Sequence, residues 1–217
     1  MDKITTFIAL SGGVDSTYYL WKWLSENPKN KGESILIHHV LLHQARKQVE
    51  KVACDKILKY LTSQGMTNYQ YVETVFSRGT LRGSLYDLPI VGLISGCVIS
   101  TKSCKYLTTI LGCYCREESP KTVRLIGRGK TFREACNTMP DSRQSQFIKN
   151  IEYINKKTYS YESPYILKSK MQMIDELPQE LREAVWFCRL PKNNNPCKRC
   201  FNCRRVLPHL KKYVCKQ

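Results

Sequence analysis

The chain has 217 residues, of which 42% are hydrophobic, and it carries a net charge of +17 with an isoelectric point near 9.5. This length predicts one large domain, or one domain with an appendage, and the apolar fraction is sufficient for a buried core. No apolar run is long enough to cross a membrane, since the longest, residues 88–100, is interrupted by proline and glycine. The charge favours polyanionic partners but decides neither fold nor reaction.

Eleven cysteines point to metal binding or reactive thiols, because the number is odd and the chain shows no sign of secretion. Met1-Asp2-Lys3 runs directly into a predicted strand, which leaves no room for a secretory signal. We therefore expect a cytoplasmic protein with no membrane partner.

The first predicted elements are a buried strand over residues 4–10, a glycine loop and a helix beginning near Thr17. The two glycines of the loop permit a tight turn and a close approach of a ligand to the backbone. The amides and dipole of the helix start favour a phosphate group, whereas an ordinary capped turn is the simpler alternative. Asp15 would repel phosphate, so we assign it to orienting the loop or to holding Mg2+. The residues predicted to form this nucleotide-phosphate site are Leu10, Ser11, Gly12, Gly13, Val14, Asp15, Ser16 and Thr17.

Strands and helices alternate through the next part of the chain. A strand is predicted over 34–40, a helix over 44–64 and a strand over 68–75. This order predicts an α/β fold with a Rossmann-like parallel sheet and helices on both faces, with ligands at the carboxyl ends of the strands. His38, His39 and His43 follow one strand end and serve either in the site or in packing.

The middle of the chain is mostly apolar over residues 88–111, which we predict to be a core helix. Its cysteines are assigned to packing: Cys97, Cys104, Cys113 and Cys115. A fourth strand is predicted over 122–127 and ends at Gly127, which we add to the nucleotide site. A helix over 144–157, a short strand at 165–167 and a helix over 169–177 follow.

A second motif lies near the C-terminus. Cys197, Cys200 and Cys203 have C-x2-C-x2-C spacing, and Cys188 lies nine positions before the first of them. Four thiolates in this arrangement suit a tetrahedral ion, with Zn2+ the first choice and an iron–sulfur cluster the second. Four protein ligands leave no open position, so the ion is expected to be structural. We predict a domain over residues 1–180 and a small helical zinc-binding region over 181–217.

The Ser11–Ser16 loop resembles the pyrophosphate loop of the N-type ATP pyrophosphatases, which cleave ATP between the α and β phosphates and adenylate a carbonyl oxygen. With the four cysteines, the chain resembles the 7-cyano-7-deazaguanine synthase family of that superfamily. The family tail reads Trp-Ser-Cys-Tyr before its cysteine triplet, and this chain has Trp186-Phe187-Cys188-Arg189. A third match sets Met139-Pro140-Asp141-Ser142-Arg143 against the family's Tyr-Pro-Asp-Cys-Arg.

The resemblance implies a fold like that of the adenine nucleotide alpha hydrolases, with ATP, Mg2+ and Zn2+ as cofactors and 7-carboxy-7-deazaguanine and ammonia as substrates. It implies that Asp141 pairs with the guanidine-like edge of the substrate and Arg143 with its carboxylate. Without it, Asp141 and Ser142 are a helix cap. The family is often dimeric, so a homodimer is one expected state. The stretch around His39 and the loop over 79–88 depart from the family, so the resemblance bears more directly on ATP and zinc than on the substrate.

Two other functions remain open from the sequence. The same loop occurs in enzymes that adenylate tRNA bases before adding sulfur or lysine, and the charge of +17 favours such a nucleic-acid partner. A binding module with a zinc tail and a degenerate nucleotide fold is the third hypothesis, and the intact loop argues against it.

Overall fold

A computed structural model describes residues 3–28, 33–42, 46–77, 87–102, 108–110, 142–156, 160–162 and 168–214 of the protein. The first half of the described chain contains strands β1 (Lys3–Ala9), β2 (Glu33–Leu42), β3 (Tyr69–Phe76) and β4 (Thr108–Ile110), and helices α1 (Val14–Glu26), α2 (Lys47–Ser63) and α3 (Asp87–Ser100). The second half contains helix α4 (Ser142–Asn155), strand β5 (Ser160–Glu162) and helices α5 (Lys170–Glu176), α6 (Gln179–Ala184) and α7 (Phe201–Val214).

The five strands form one parallel sheet in the order β3-β2-β1-β4-β5, with β1 at its centre. Successive residues of β2 face opposite sides of the sheet, and each side is buried. Ile35 and Ile37 pack in the cluster that includes residues of α1, α2 and α5–α7, whereas Leu36 packs in the cluster that includes residues of α3 and α4. The predicted α/β fold with helices on both faces is confirmed.

One predicted element is wrong at its C-terminal end. The apolar run that we expected to be helical to residue 111 ends its helix at Ser100, and Thr108–Ile110 is strand β4. β4 pairs in parallel with both β1 and β5. Its three residues are β-branched, and they favour a strand once the sheet offers two partners. An apolar run does not by itself distinguish a buried strand from a buried helix.

The other predicted elements agree with the structure where it describes them. Strand β2 and helix α2 begin and end within three residues of their predicted bounds. The strands predicted over 122–127 and 165–167 lie outside the described residues, and the boundary predicted at residue 180 stays a prediction. Among the helices that the structure describes, none has both the length and the apolar content needed to span a bilayer.

Candidate functional site

The predicted phosphate loop joins the carboxyl end of the central strand β1 to helix α1. The first residue of the loop, Leu10, is held against β2, because its backbone N–H donates to the carbonyl oxygen of His38 at 2.9 Å. The ring nitrogen Nδ1 of His39 lies 2.7 Å from the carbonyl oxygen of Leu10 and donates its hydrogen to it. The loop therefore starts from a rigid position at the edge of the sheet where ligands bind in this class of fold.

Gly12 and Gly13 give the loop its shape. Gly12 has a φ of +69°, and a Cβ atom added there would lie 2.9 Å from the Cβ of Ala53 in α2. Only glycine combines this backbone angle with so close an approach to a neighbouring helix. Gly13 is the N-cap of α1 in extended conformation. It has no side chain to occupy the helix N-terminus, so the terminal amides are left for other acceptors.

The hydroxyls of Ser11 and Ser16 lie 3.2 Å apart across the mouth of the loop. The backbone N–H of Ser11 lies 3.3 Å from the Ser16 hydroxyl, which itself donates to the carbonyl oxygen of Gly13 at 3.3 Å. Ser11 is exposed, whereas Thr17 is fully buried. The arrangement places two hydroxyls and the first amides of α1 around one small space, as an anion site requires.

Asp15 forms an ion pair that its position in the sequence did not indicate. Its Oδ2 atom lies 2.9 Å from the ammonium nitrogen of Lys170, the first residue of α5. Its other oxygen, Oδ1, is buried and accepts no hydrogen bond from any residue that the structure describes. An unpartnered carboxylate oxygen beside a phosphate loop has the chemistry to ligate Mg2+, and Lys170 brings a positive charge to the same place.

Lys170 is a residue of the candidate site that the sequence interpretation missed. Ser169 accepts a hydrogen bond from the backbone N–H of Gln172, whose side chain accepts one from the backbone N–H of Ser169. This capping box is a recognisable signal for a helix that begins at Lys170. It does not indicate that the helix start lies beside Asp15, since that contact depends on how α5 packs against α1.

His38 and His39 are core residues in this structure. His38 is fully buried, with Nδ1 2.8 Å from the Ser95 hydroxyl and Nε2 3.0 Å from the Thr74 hydroxyl. Burial, with a smaller effect from neighbouring His39, lowers the pKa of His38 to about 4. Burial also lowers the pKa of His39. Both rings are therefore neutral at physiological pH, and they position the sheet edge and Leu10. His43 lies outside the described residues.

The four predicted cysteine ligands come together. The Sγ atoms of Cys188, Cys197, Cys200 and Cys203 all lie within 4.8 Å of one another, and those of Cys197 and Cys203 are 3.9 Å apart. A tetrahedral ion with Zn–S bonds of about 2.3 Å places its sulfurs roughly 3.8 Å apart. A four-iron cluster places its metal atoms between the thiolates and needs wider spacing. The geometry suits one tetrahedral ion.

Backbone amides of the same segment point at the sulfurs. The N–H groups of Cys197, Cys200 and Cys203 donate to the sulfurs of Cys188, Cys197 and Cys200 at 3.2, 3.3 and 3.4 Å. Burial raises the pKa of the Cys197 thiol, but N–H donors from Arg199 and Cys200 outweigh it and lower the pKa to about 6. Burial raises the pKa of Cys203 and Cys188. A cation held by these residues would supply the charge that deprotonates all four.

The segment over residues 186–203, called the cysteine segment below, contacts the phosphate loop directly. The backbone N–H of Trp186 donates to the carbonyl oxygen of Gly12 at 2.8 Å, and its indole N–H donates to the carbonyl oxygen of Cys188 at 2.8 Å. Asn202 in α7 donates to the carbonyl oxygen of Phe187 at 3.0 Å. The segment between α6 and the first cysteine is thus fixed on one side to the loop and on the other to the metal-binding turn.

A pocket of about 720 Å³ opens beside this segment, between α2, α6 and α7. Val52 of α2 is 42% exposed because it lines this pocket and not the core. The other residues that line the pocket include Lys56, Arg182, Trp186, Phe187, Leu207, Leu210 and Tyr213. Nothing in the sequence pattern indicated a pocket here, since its walls come from three separate parts of the chain.

Three predicted site residues are not tested by the part of the chain that the structure describes. Gly127, assigned to the nucleotide site, and Asp141, assigned to the substrate, lie outside the described residues. Arg143 lies in the first turn of α4, but its side chain is likewise outside the description. Their assignment therefore stays a prediction.

No family model matches the chain, and a sequence search of curated proteins finds no match. Among solved structures, the chain is similar to the U34-tRNA thiolase NcsA from Methanococcus maripaludis with its [4Fe-4S] cluster. The identity is 13%, the TM-score is 0.47, and the match covers 100% of this chain and 68% of the other. A similarity of this size assigns neither a reaction nor a cofactor.

Proposed function

We propose that the protein is an ATP-dependent adenylating enzyme that releases pyrophosphate. The observation that carries the proposal is the loop from Ser11 to Ser16, where two hydroxyls and the amides of α1 surround one space and the Asp15–Lys170 pair lies beside it. Backbone amides and a lysine stabilise the charge that develops on a departing pyrophosphate. No protein nucleophile is needed, because positioning and charge stabilisation account for the catalysis.

Magnesium belongs to this proposal through Asp15. Its unpartnered Oδ1 oxygen is the atom that fits the ion, while Oδ2 stays with Lys170. When bound, the ion neutralises charge on the phosphates of ATP. Lys170 and the Ser11 and Ser16 hydroxyls then hold the oxygens of the leaving group in line with the attacking atom.

For the acceptor, the sequence resemblance supports 7-carboxy-7-deazaguanine. A carboxylate oxygen attacks the α-phosphorus, and the bond from that phosphorus to the β-bridging oxygen breaks to release pyrophosphate. Ammonia then attacks the acyl carbon, AMP leaves, and the product is an amide. A second ATP adenylates the amide oxygen, and loss of AMP together with the remaining N–H proton gives the nitrile.

We assign the four cysteines to a structural Zn2+. The close sulfur spacing supports a single ion, and four protein ligands leave no position for a substrate. Metal analysis of the protein purified without added metal tests this assignment. About one zinc per chain is expected, whereas iron with acid-labile sulfide would assign a cluster instead.

The test of the reaction is pyrophosphate release with 7-carboxy-7-deazaguanine and ammonia, with product mass read by mass spectrometry. Asp15→Asn is expected to lower the rate at least about a hundredfold, because the proposed Mg2+ ligand and the anionic partner of Lys170 are lost. Ser25→Ala, at an exposed serine near the end of α1, is the matched control. Absence of ATP turnover with this substrate would contradict the assignment of 7-carboxy-7-deazaguanine as the acceptor. The product mass shows whether the reaction stops at the amide or continues to the nitrile.

A second candidate function is adenylation of a nucleic-acid base, as in thiolation or lysidine formation. It is favoured by the distribution of charge, because residues 184–217 contain nine lysines and arginines and no acidic residue. That segment supplies nine of the 17 net positive charges in about a sixth of the chain. ATP turnover that depends on added tRNA and not on a deazaguanine would favour this candidate.

A further inference from the structure

The C-terminal segment keeps its positive charge after a metal is bound. A divalent ion with four thiolates carries two net negative charges, which leaves about +7 on residues 184–217. Most of the basic residues are exposed in the structure: Arg189, Lys192, Lys198, Arg199, Arg204, Lys211 and Lys212. A surface of one sign at this density attracts a polyanion and not a small neutral ligand.

Helix α7 arranges part of this charge beside the pocket. Arg204 and Lys211 are seven residues apart, which is about two turns or 10.5 Å along the helix. Both lie within about 60° of Leu207 around the helix axis. Leu207 and Leu210 line the pocket. The two cations therefore flank the pocket rim on its α7 side.

Two acidic groups on helices beside α7 are hydrogen-bonded. Asp175 of α5 is 2.6 Å from Nε2 of His209 and also accepts a hydrogen bond from the Tyr213 hydroxyl. Glu183 of α6 contributes to the pocket wall and accepts a hydrogen bond from Gln179. Helix α7 itself contains no acidic residue, so its own exposed charges are all positive.

The pocket has aromatic walls. The rings of Trp186 and Phe187 are nearly parallel, at 20° with centroids 6.2 Å apart. The Arg182 guanidinium lies 4.0 Å from the centroid of the Tyr213 ring. All four residues line the pocket. A planar group that stacks on aromatic and guanidinium planes matches these features.

We propose that α7 and the cysteine segment bind the backbone of a single-stranded nucleic acid, and that the pocket takes one of its unpaired bases. Cationic side chains along a groove hold the phosphates, and aromatic rings and arginine hold a base. A volume of about 720 Å³ is within the range of roughly 300–1,000 Å³ that ligand sites occupy. A paired base cannot enter such a pocket without leaving its duplex.

This inference rests on the second candidate function for its biological role, but the binding is measured without ATP. Failure of strand binding and failure of adenylation are therefore separate results. Strand binding without ATP turnover would contradict the proposed adenylation reaction but would support the proposed binding surface.

The experiment measures fluorescence anisotropy of labelled single-stranded RNA, single-stranded DNA and duplex of the same length, at several salt concentrations. The Arg204→Gln/Lys211→Gln variant is expected to bind single strands about tenfold more weakly. Its salt slope should fall by about 1.4, since each lost phosphate contact in a single strand removes about 0.7. Lys59→Gln/Lys149→Gln removes the same charge from α2 and α4 and is expected to change the slope by much less. Equal losses of single-strand affinity in the two double variants would contradict the proposed binding surface on α7.

A second pair of variants tests the pocket. Val52→Phe fills it from the α2 side and is expected to weaken single-strand binding at least about fivefold without changing the salt slope. Val75→Phe places the same side chain at a 61% exposed valine of β3 and is expected to have no effect. Duplex binding as tight as single-strand binding, or full affinity in Val52→Phe, would refute the base-binding role. Thermal unfolding of each variant shows that it is folded.

Discussion

The backbone N–H of Trp186 donates a hydrogen bond of 2.8 Å to the carbonyl oxygen of Gly12. These residues are 174 positions apart in the sequence, yet one belongs to the phosphate loop and the other precedes the ligand Cys188 by two residues. The indole N–H of Trp186 also donates to the carbonyl oxygen of Cys188. The shape of the predicted phosphate loop therefore depends on the segment that leads into the four clustered cysteines.

Removal of the metal is expected to weaken ATP binding. Without the ion, the four cysteines no longer hold the segment at Trp186, and the loop loses its partner at Gly12. We expect the dissociation constant for ATP to rise at least about tenfold, which corresponds to about 1.4 kcal/mol. Calorimetry on metal-loaded and chelator-treated protein measures the change, with metal content determined in parallel.

Two cysteine variants separate this effect from general damage. Cys200→Ser removes a ligand and is expected to reproduce the loss of ATP affinity. Cys97→Ser changes an exposed cysteine of α3 outside the cluster and is expected to leave ATP affinity unchanged. Unchanged ATP affinity in folded, metal-free protein would contradict the coupling.

Substitution of Gly12 by alanine is expected to destabilise the protein more than the same change at Gly65. Both glycines have positive φ, +69° and +73°, so both variants carry a backbone penalty of about 1 kcal/mol. Only at Gly12 does the new Cβ meet neighbours, at 2.9 Å from the Ala53 Cβ and 3.1 Å from the Glu50 carbonyl oxygen. We expect a further loss of about 1–3 kcal/mol there. Urea unfolding of both variants measures the difference, and equal losses would show that α2 yields to the methyl group.

Replacement of Lys170 by methionine is expected to lower pyrophosphate release about a hundredfold, because the change removes the cation beside Asp15 and the phosphate loop. The pair is mostly buried, with side chains 14% and 19% exposed, so the variant is also expected to melt at a lower temperature, and its rate is measured where it remains folded. Lys168→Met is the control, because Lys168 pairs with Glu176 in the same region and not with Asp15. Comparable losses of the pyrophosphate-release rate in both variants would contradict the assignment of Lys170 to the site.

The free energy of unfolding is expected to decrease as the pH falls. Burial disfavours the charged ring and lowers the pKa of His38 from its ordinary value of 6.5 to about 4 in the folded protein. Below about pH 6.5 the unfolded chain binds a proton at His38 that the folded chain does not bind. The contribution of His38 to the free energy of unfolding is therefore fully present above that pH. It is lost progressively toward pH 4, by roughly 3 kcal/mol for this residue.

Urea unfolding across this pH range measures the loss. His38→Gln is expected to be less stable than the parent protein at neutral pH but to show a shallower pH dependence. An identical pH dependence in the two proteins would contradict the assignment.

Features that depend on neighbouring residues were predictable from the sequence. The strand, glycine loop and helix around Ser11 follow from local backbone preferences, and the ligand set follows from the spacing of Cys197, Cys200 and Cys203. The alternation of strands and helices predicted the parallel sheet because each element must bury its apolar side. Strand β4 was missed because its neighbours in the sheet, and not its own residues, distinguish it from a helix.

The contacts between distant parts of the chain were decided only by the tertiary structure. The Asp15–Lys170 pair joins residues 155 positions apart, and the Trp186–Gly12 hydrogen bond joins the metal segment to the loop. Val52 is an apolar residue of the predicted helix over 44–64, yet it lines a pocket between α2, α6 and α7 and is 42% exposed. Periodicity shows which side of a helix is apolar, but packing decides whether that side meets a core or a cavity. The sequence thus determined the two local motifs, and the packing of α5, α6 and the cysteine segment determined how they are joined.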